Sequence, residues 1–190
     1  MNLILIGYRA CGKTCVGKKI SGFLGLPFYD TDELIQRKTG KTVQQIVQEG
    51  GWPAFRKSEK ATLGEVAGQD GVVIALGGGA VMEPGNVEAL KGKGYFIWLQ
   101  AEEGTLRRRM KGDGTSPEQR PPLAITGKGD EKELLAKRSP VYRALADLII
   151  DTTGRSIDEV AEEILAAIPP HPSLSRKSIR PDHGGRGESC

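Results

Sequence analysis

The chain is poor in the residues that carry most side-chain chemistry near neutral pH. Its only two histidines, His171 and His183, fall in the last twenty of 190 positions. Everything before Pro169-Pro170 is without imidazole, which excludes a Ser-His-Asp or Cys-His nucleophile and a His-built zinc site from that body. Cysteine is scarce as well: Cys11, Cys15 and Cys190 give an odd count with no C-x-x-C spacing. Neither a disulfide framework nor a structural zinc is expected, and the cytoplasm is the expected compartment. No run approaches the ~20 apolar residues of a membrane span. The N-terminal Leu3-Ile4-Leu5-Ile6 is cut by Gly7 and lacks a basic lead-in, so it does not read as a signal peptide. Nor does charge of one sign dominate: 27 Lys and Arg against 24 Asp and Glu leave +3, too small an excess to imply a nucleic-acid or membrane partner.

Glycine is abundant, 26 residues with no collagen-like period, so Gly-dense loops are expected instead. With 38% hydrophobic and 27% charged residues, the length suits one globular domain. Short apolar runs recur at Leu3–Ile6, Pro27–Tyr29, Val72–Leu76, Tyr95–Leu99 and Leu148–Ile150. Between them lie helical patterns at 12–24, 31–39, 43–68 in at least two pieces, 85–92, 102–111 and 130–145. This alternation predicts an α/β layer fold around a mainly parallel sheet, with ligands at the carboxyl ends of the strands. A last amphipathic helix places Ile157, Val160, Ala161, Ile164, Leu165 and Ile168 on one face, opened by the Ser156/Glu159 capping pattern and stopped by Pro169-Pro170. The domain is expected to close at 168. Residues 169–190, with four of the eleven prolines and most of the basic excess, read as a disordered tail.

Gly7-Tyr8-Arg9-Ala10-Cys11-Gly12-Lys13-Thr14 matches the P-loop pattern G-x-x-x-x-G-K-[ST], with an apolar strand before it and a helix after it. In such a loop the glycines let the backbone wrap phosphates at a helix N-terminus, Lys13 reaches the β- and γ-phosphates, and Thr14 ligates Mg²⁺. Cys11 reads as a small loop filler and Cys15 as a small buried hydrophobe. Asp30-Thr31-Asp32 follows the second strand, and in extended backbone its two carboxylates point the same way. One suits a water-bridged Mg²⁺ and the other an attacking hydroxyl's proton. Asp30 with Glu33 equally matches a D-x-x-E helix cap, and both can hold at once.

Gly77-Gly78-Gly79 ends the third strand and exposes peptide N–H groups to a ligand. Arg56 and Arg138, if near it, suit an anionic substrate, since a guanidinium fork matches a carboxylate. The Gly- and Pro-rich stretch from Lys111 to Asp130 reads as a lid that brings Arg120 over the phosphates on closure.

In this order the P-loop, Asp30-Thr31-Asp32, Phe55-Arg56, Leu76-Gly77-Gly78-Gly79-Ala80, Arg120-Pro121 and Arg138-Ser139-Pro140-Val141-Tyr142 resemble shikimate kinase over residues 1–168. The resemblance implies a nucleoside-monophosphate-kinase-like sheet of order 2-3-1-4-5 with helices on both faces. It also implies transfer of the ATP γ-phosphate to the 3-hydroxyl of shikimate, in chorismate and aromatic amino-acid synthesis. By position, Asp32 would bind the shikimate hydroxyls and act as base, and Asp30 and Thr14 would hold Mg²⁺. Arg56 and Arg138 would grip the carboxylate, with Gly77, Gly78 and Gly79 lining the substrate site. Lys13 and Arg120 would stabilise the moving phosphoryl group. Gly7, Ala10, Cys11, Gly12 and Cys15 would complete the ATP site, with Arg109 and Arg155 placed near adenine by position only. Against the family pattern, no Asp closes the third strand, the lid is longer and more polar, and Pro122 stands where Leu is common. The expected partners are ATP and shikimate, and the expected state is a monomer. Two other readings stay open: another small-metabolite kinase, such as one acting on gluconate, and a nucleotide-binding regulator without turnover.

Overall fold

The computed structural model describes residues 1–112 and 131–174. Five parallel strands form one sheet of order β2-β3-β1-β4-β5: β1 Asn2–Ile6, β2 Phe28–Asp30, β3 Val73–Ala75, β4 Gly94–Gln100 and β5 Leu148–Asp151. The order is the one the resemblance implied. Register is set by β1, where Leu3, Ile4 and Leu5 pair with Val73, Ile74 and Ala75 on one side and with Tyr95, Phe96 and Ile97 on the other.

Every β1 residue is buried, because the alternating side chains enter two different cores. Leu3 and Leu5 join Val73, Ile97 and Leu99 under α1 (Lys13–Leu24) and α7 (Ile157–Ala167). Ile4 and Ile6 join Ile74, Phe96 and Trp98 under α3 (Val43–Ala67), α4 (Pro84–Leu90) and α6 (Glu131–Leu145). A strand covered on both faces reads as a continuous apolar run, as Leu3–Ile6 does. Each such Leu or Ile contributes about 1.5–3 kcal/mol by leaving water. A smaller cluster of Ile35, Val43, Ile46 and Phe55 joins α2 (Thr31–Thr39) to α3.

Local chemistry sets the breaks. The long α3 opens on a Thr42/Gln45 capping box and is interrupted at Gly51, whose φ of 69° is left-handed. Pro53 then falls in the first turn of the second piece, where an N–H has no helical partner to lose. α7 begins with the reciprocal Ser156/Glu159 capping box. α5 runs Glu103–Gly112, so the expected lid starts with the last turn of a helix; 113–130 lie outside the described residues. The expected disordered tail needs correction at its start. Residues 172–174 form a 3₁₀ turn, and Leu174 is buried with the α1/α7 core. One apolar side chain with a place to go outweighs the proline-rich composition around it. The remainder of the tail, 175–190, lies outside the described residues.

Candidate active site

At the carboxyl end of β1 the chain enters the Gly7–Thr14 loop. Positive φ at Gly7 (139°), Ala10 (60°) and Gly12 (98°) coils it tightly before α1. Gly7 passes so close to β4 that a Cβ there would lie 2.3 Å from the Leu99 carbonyl oxygen. Cys11 is fully buried in the core beneath the loop, the filler role expected of it. Cys15, expected to be a buried hydrophobe, is instead half-buried and lines the cleft, while the next residue, Val16, takes the place in the core. Lys13 Nζ donates to the carbonyls of Gly7 (3.0 Å) and Tyr8 (2.9 Å).

Thr14 Oγ1 donates to Asp30 Oδ2 at 2.7 Å. The other Asp30 oxygen accepts from the backbone N–H of Asp32 (3.0 Å) and Glu33 (3.3 Å), capping α2. Asp30-Thr31-Asp32 is therefore not extended: the helix starts at Thr31, because a capping carboxylate satisfies the first free N–H groups. The helical turn points Thr31 inward, where its Oγ1 accepts from Gly77 N at 2.9 Å. It also sets Asp32 against Gly77, where a Cβ would stand 2.6 Å from Asp32 Oδ1. The two carboxylates still face one cleft, through a helix start rather than a strand.

The triple-glycine turn is fastened from several elements. Ala80 N donates to Gly77 O (3.0 Å), the Tyr142 hydroxyl of α6 donates to Gly78 O, and Asn86 Nδ2 of α4 donates to Ala80 O (3.0 Å). Burial pushes the Tyr142 phenol far above its usual range, so it stays a donor. Two guanidinium groups converge over this turn. A Cβ on Gly79 would lie 2.7 Å from Arg56 Nη2 and 3.4 Å from Arg138 Nη2. Arg138 is 6% exposed and packs over the Tyr8 ring; Arg56 packs against Trp52 and Phe55. Aromatic faces favour the cations in these positions. Arg56 Nη1 also donates to Glu59 Oε2 at 2.6 Å. Glu59 is 1% exposed, and burial pushes its carboxyl above the usual range although the Arg56 charge opposes the shift.

On the other side of the loop, Arg109 Nη1 donates to Ala10 O (3.4 Å) and Thr152 Oγ1 (3.0 Å), and its Nη2 to Thr152 O (2.7 Å). Thr152 Oγ1 also lies 3.3 Å from Cys11 O and 3.1 Å from Gln100 O. Arg155 bonds to Asp151 O and Glu159 O and pairs with Glu163. Of the neighbouring arginines, Arg107 pairs with Glu103 on the surface.

One cleft of about 900 Å³ is lined by the P-loop, Asp30, Asp32, Arg56, Gly77–Gly79, Arg109, Arg138, Thr152 and Arg155. The structure thus brings the expected site residues it describes into one cleft, apart from Gly7, which is buried at the start of the loop and does not line it; Arg120 lies outside the described residues. Among the described residues no cluster of three or more His, Cys, Asp or Glu could hold a metal alone. The Thr14 hydroxyl and Asp30 carboxylate are hard oxygen donors of the kind Mg²⁺ takes in ones and twos beside substrate phosphates. No described helix is long and apolar enough to cross a membrane. Sequence reasoning missed Glu59, Asn86 and Thr152. Glu59 carries the one available signal, its i+3 spacing from Arg56, but that spacing is also common on solvated helix faces.

A family model described as shikimate kinase matches residues 9–169. Shikimate kinase from Syntrophus aciditrophicus is 42% identical over 86% of this chain and 89% of its own length. The Rhodopirellula baltica shikimate kinase is 39% identical over 88% and 90%. A solved shikimate kinase from Acinetobacter baumannii, in complex with shikimate, superposes with a TM-score of 0.79 at 33% identity, covering 86% of this chain and 90% of that one. With the matched span running from the P-loop through the last helix of the sheet, the chain belongs to the shikimate kinase family.

Proposed function

We propose that the chain transfers the γ-phosphate of ATP to the 3-hydroxyl of shikimate, giving shikimate 3-phosphate and ADP. The observation that carries this reading is the meeting of Arg56 and Arg138 over Gly79, in the same cleft as a P-loop and Asp32. A carboxylate held by two arginine forks fixes one end of a small acid. Asp32, at the first glycine, is then the group next to its hydroxyls. The hydroxyl oxygen forms a bond to the γ-phosphorus as the bond from that phosphorus to the β,γ-bridging oxygen breaks, and the hydroxyl proton passes to Asp32. Lys13 exchanges the Gly7 and Tyr8 carbonyls for phosphate oxygens and follows the charge as it moves. Arg120 adds positive charge from the 111–130 segment, and Arg109 and Arg155 border the nucleotide base.

Thr14 and Asp30 would hold Mg²⁺, which when bound neutralises phosphate charge. Asp30 would do so while keeping its cap on α2, since the two roles use different oxygens. A monomer fits, as every assigned residue comes from one chain; sedimentation tests it. The reading is tested by Mg²⁺-dependent ADP release with and without shikimate, with gluconate as the control acid. Release that depends on shikimate supports it. ATP binding without shikimate-dependent turnover overturns it.

A further inference from the structure

Near the acid end of the cleft, α4 buries a polar side chain, Asn86, that has no role in the chemistry so far described. Asn86 sits on the seven-residue α4, 2% exposed, on the face that also buries Leu90. An amide in that position is costly unless its N–H groups are used. Both are: Nδ2 donates to Ala80 O at 3.0 Å and to Glu59 Oε2 at 3.3 Å. The same Glu59 oxygen receives Arg56 Nη1 at 2.6 Å. Glu59 Oε1 has no hydrogen-bond partner among the described residues, so the orientation of this carboxylate is set by Arg56 and Asn86 alone. Among the described residues the other carboxylate paired with Arg56 is Glu83, its Oε1 at a loose 3.8 Å.

We infer that Asn86 is a positioning residue for the substrate's carboxylate: it ties Glu59, and through it Arg56, to the end of the triple-glycine turn. One amide spans the two parts that must keep a fixed separation, the Arg56 fork and the backbone beside Gly79. Without it, Glu59 has a single bond to a side chain that is itself a quarter exposed, and the pair is free to rotate together out of the cleft. The residue touches neither substrate nor nucleotide. Its effect is confined to how well an anionic carboxylate is recognised. Asn fits this role better than Asp, since a second carboxylate would repel Glu59, and better than Leu, which has no donor.

This inference rests on the reading that Arg56 grips the shikimate carboxylate, and the experiment separates the two. KM and kcat are measured for shikimate and for its neutral methyl ester in the wild type, Asn86→Leu, Asn86→Asp and Arg56→Ala, with thermal melting of each. Expected is a rise of about tenfold in KM for the acid in the Asn86 variants, the scale of one hydrogen bond to a charged group. KM for the ester and kcat for the acid should change less than twofold to threefold. If Asn86→Leu does not fold, the near-isosteric Asn86→Asp carries the comparison. Arg56→Ala should lose the same preference for acid over ester. An acid/ester ratio unchanged in the Asn86 variants but reduced in Arg56→Ala overturns the positioning role alone. A ratio unchanged in Arg56→Ala overturns the carboxylate reading and this inference with it. Equal rises in KM for acid and ester would make Asn86 merely structural, which also overturns the inference.

Discussion

Replacing Gly79 with Ala separates the acid end of the cleft from the rest of the machinery. Gly79 has φ −101° and ψ −6°, a right-handed conformation open to any residue, so the backbone is not strained by a side chain. Removing the freedom of glycine from the unfolded chain even favours the fold by about 0.4–1 kcal/mol. The new methyl would instead stand 2.7 Å from Arg56 Nη2, the far end of a flexible and partly exposed side chain. That guanidinium can yield by swinging toward solvent, which is cheap for the fold and harmful to recognition. Loss of one charge-assisted contact to the substrate costs about 1.5–3 kcal/mol, or about 10- to 150-fold in KM for shikimate. The kcat should change far less, because Asp32 lies at Gly77. The companion Gly77→Ala aims its methyl at Asp32 Oδ1, 2.6 Å away, and should depress kcat more than KM. Gly7→Ala gives the contrasting control: its Cβ would meet a backbone carbonyl at 2.3 Å, at a φ of 139°, so melting temperature should fall. The assay is ADP release against shikimate at saturating ATP, beside thermal melting. A folded Gly79→Ala enzyme with wild-type KM would refute the placement of Arg56 in the site, and the same kcat loss in both variants would refute the division of labour.

Three further substitutions test other parts. Asp32→Asn should lower kcat by about 10²- to 10⁴-fold, the usual range for a general base, with ATP binding retained in calorimetry; near-normal kcat would remove Asp32 from that role. For Glu59, a carboxyl with a raised pKa in the fold keeps its proton at pH values where the unfolded chain has released it. The native state then binds more protons, so Glu59 costs stability as pH rises from the ordinary carboxylate range through its own raised pKa. Glu59→Gln should therefore gain stability relative to wild type across that window and hold the gain above it, while KM for shikimate rises. Denaturation curves that show no pH-dependent difference would contradict the burial argument. Thr152→Val keeps the shape but removes the hydroxyl shared by Arg109, Gln100 and Cys11. The expected cost is about 1–3 kcal/mol in urea unfolding, with weaker ATP binding; an unchanged midpoint would mean the hub is idle.

Much of the layer architecture was legible because two-sided burial writes itself into composition. Leu3–Ile6 and Val72–Leu76 are apolar at every position, and no surface element needs that. The P-loop was legible because its chemistry fixes residue type and spacing together. What stayed hidden was direction. The residues of Asp30-Thr31-Asp32 read equally as strand or helix start, and only the bonds from Asp32 N and Glu33 N to Asp30 decide it. Arg138 and Arg143 are both helical arginines with one sequence neighbourhood, yet the first is buried and the second exposed. Asn86 and Glu59 touch across α3 and α4, and a contact between residues 27 positions apart leaves no local pattern to read. Leu174 was lost for the converse reason: one apolar residue among prolines carries too little periodicity to mark an ordered turn.

The three glycines also explain how a cleft without histidine can support phosphoryl transfer. A side chain on Gly77 would press on Asp32, one on Gly78 would crowd the Gly7 carbonyl and the Arg9 amide at 3.4 and 3.5 Å, and one on Gly79 would displace Arg56. Asp32, the phosphate loop and Arg56, to which the proposed reaction assigns the proton, the nucleotide and the carboxylate, thus all touch one short turn at the end of β3. The backbone of that turn gives the three groups a common reference, against which the Asp32 and Arg56 side chains pack. The reaction asks chiefly for alignment and charge stabilisation, and holding reactants in line can supply about 7–11 kcal/mol of the barrier. In the proposed reaction Asp32 takes the place of an imidazole as the base for the hydroxyl. In that reaction the absence of side chains at 77–79 lets the two substrates approach, while Thr31 and Tyr142 hold the bare turn at Gly77 and Gly78 and Asn86 holds its end at Ala80.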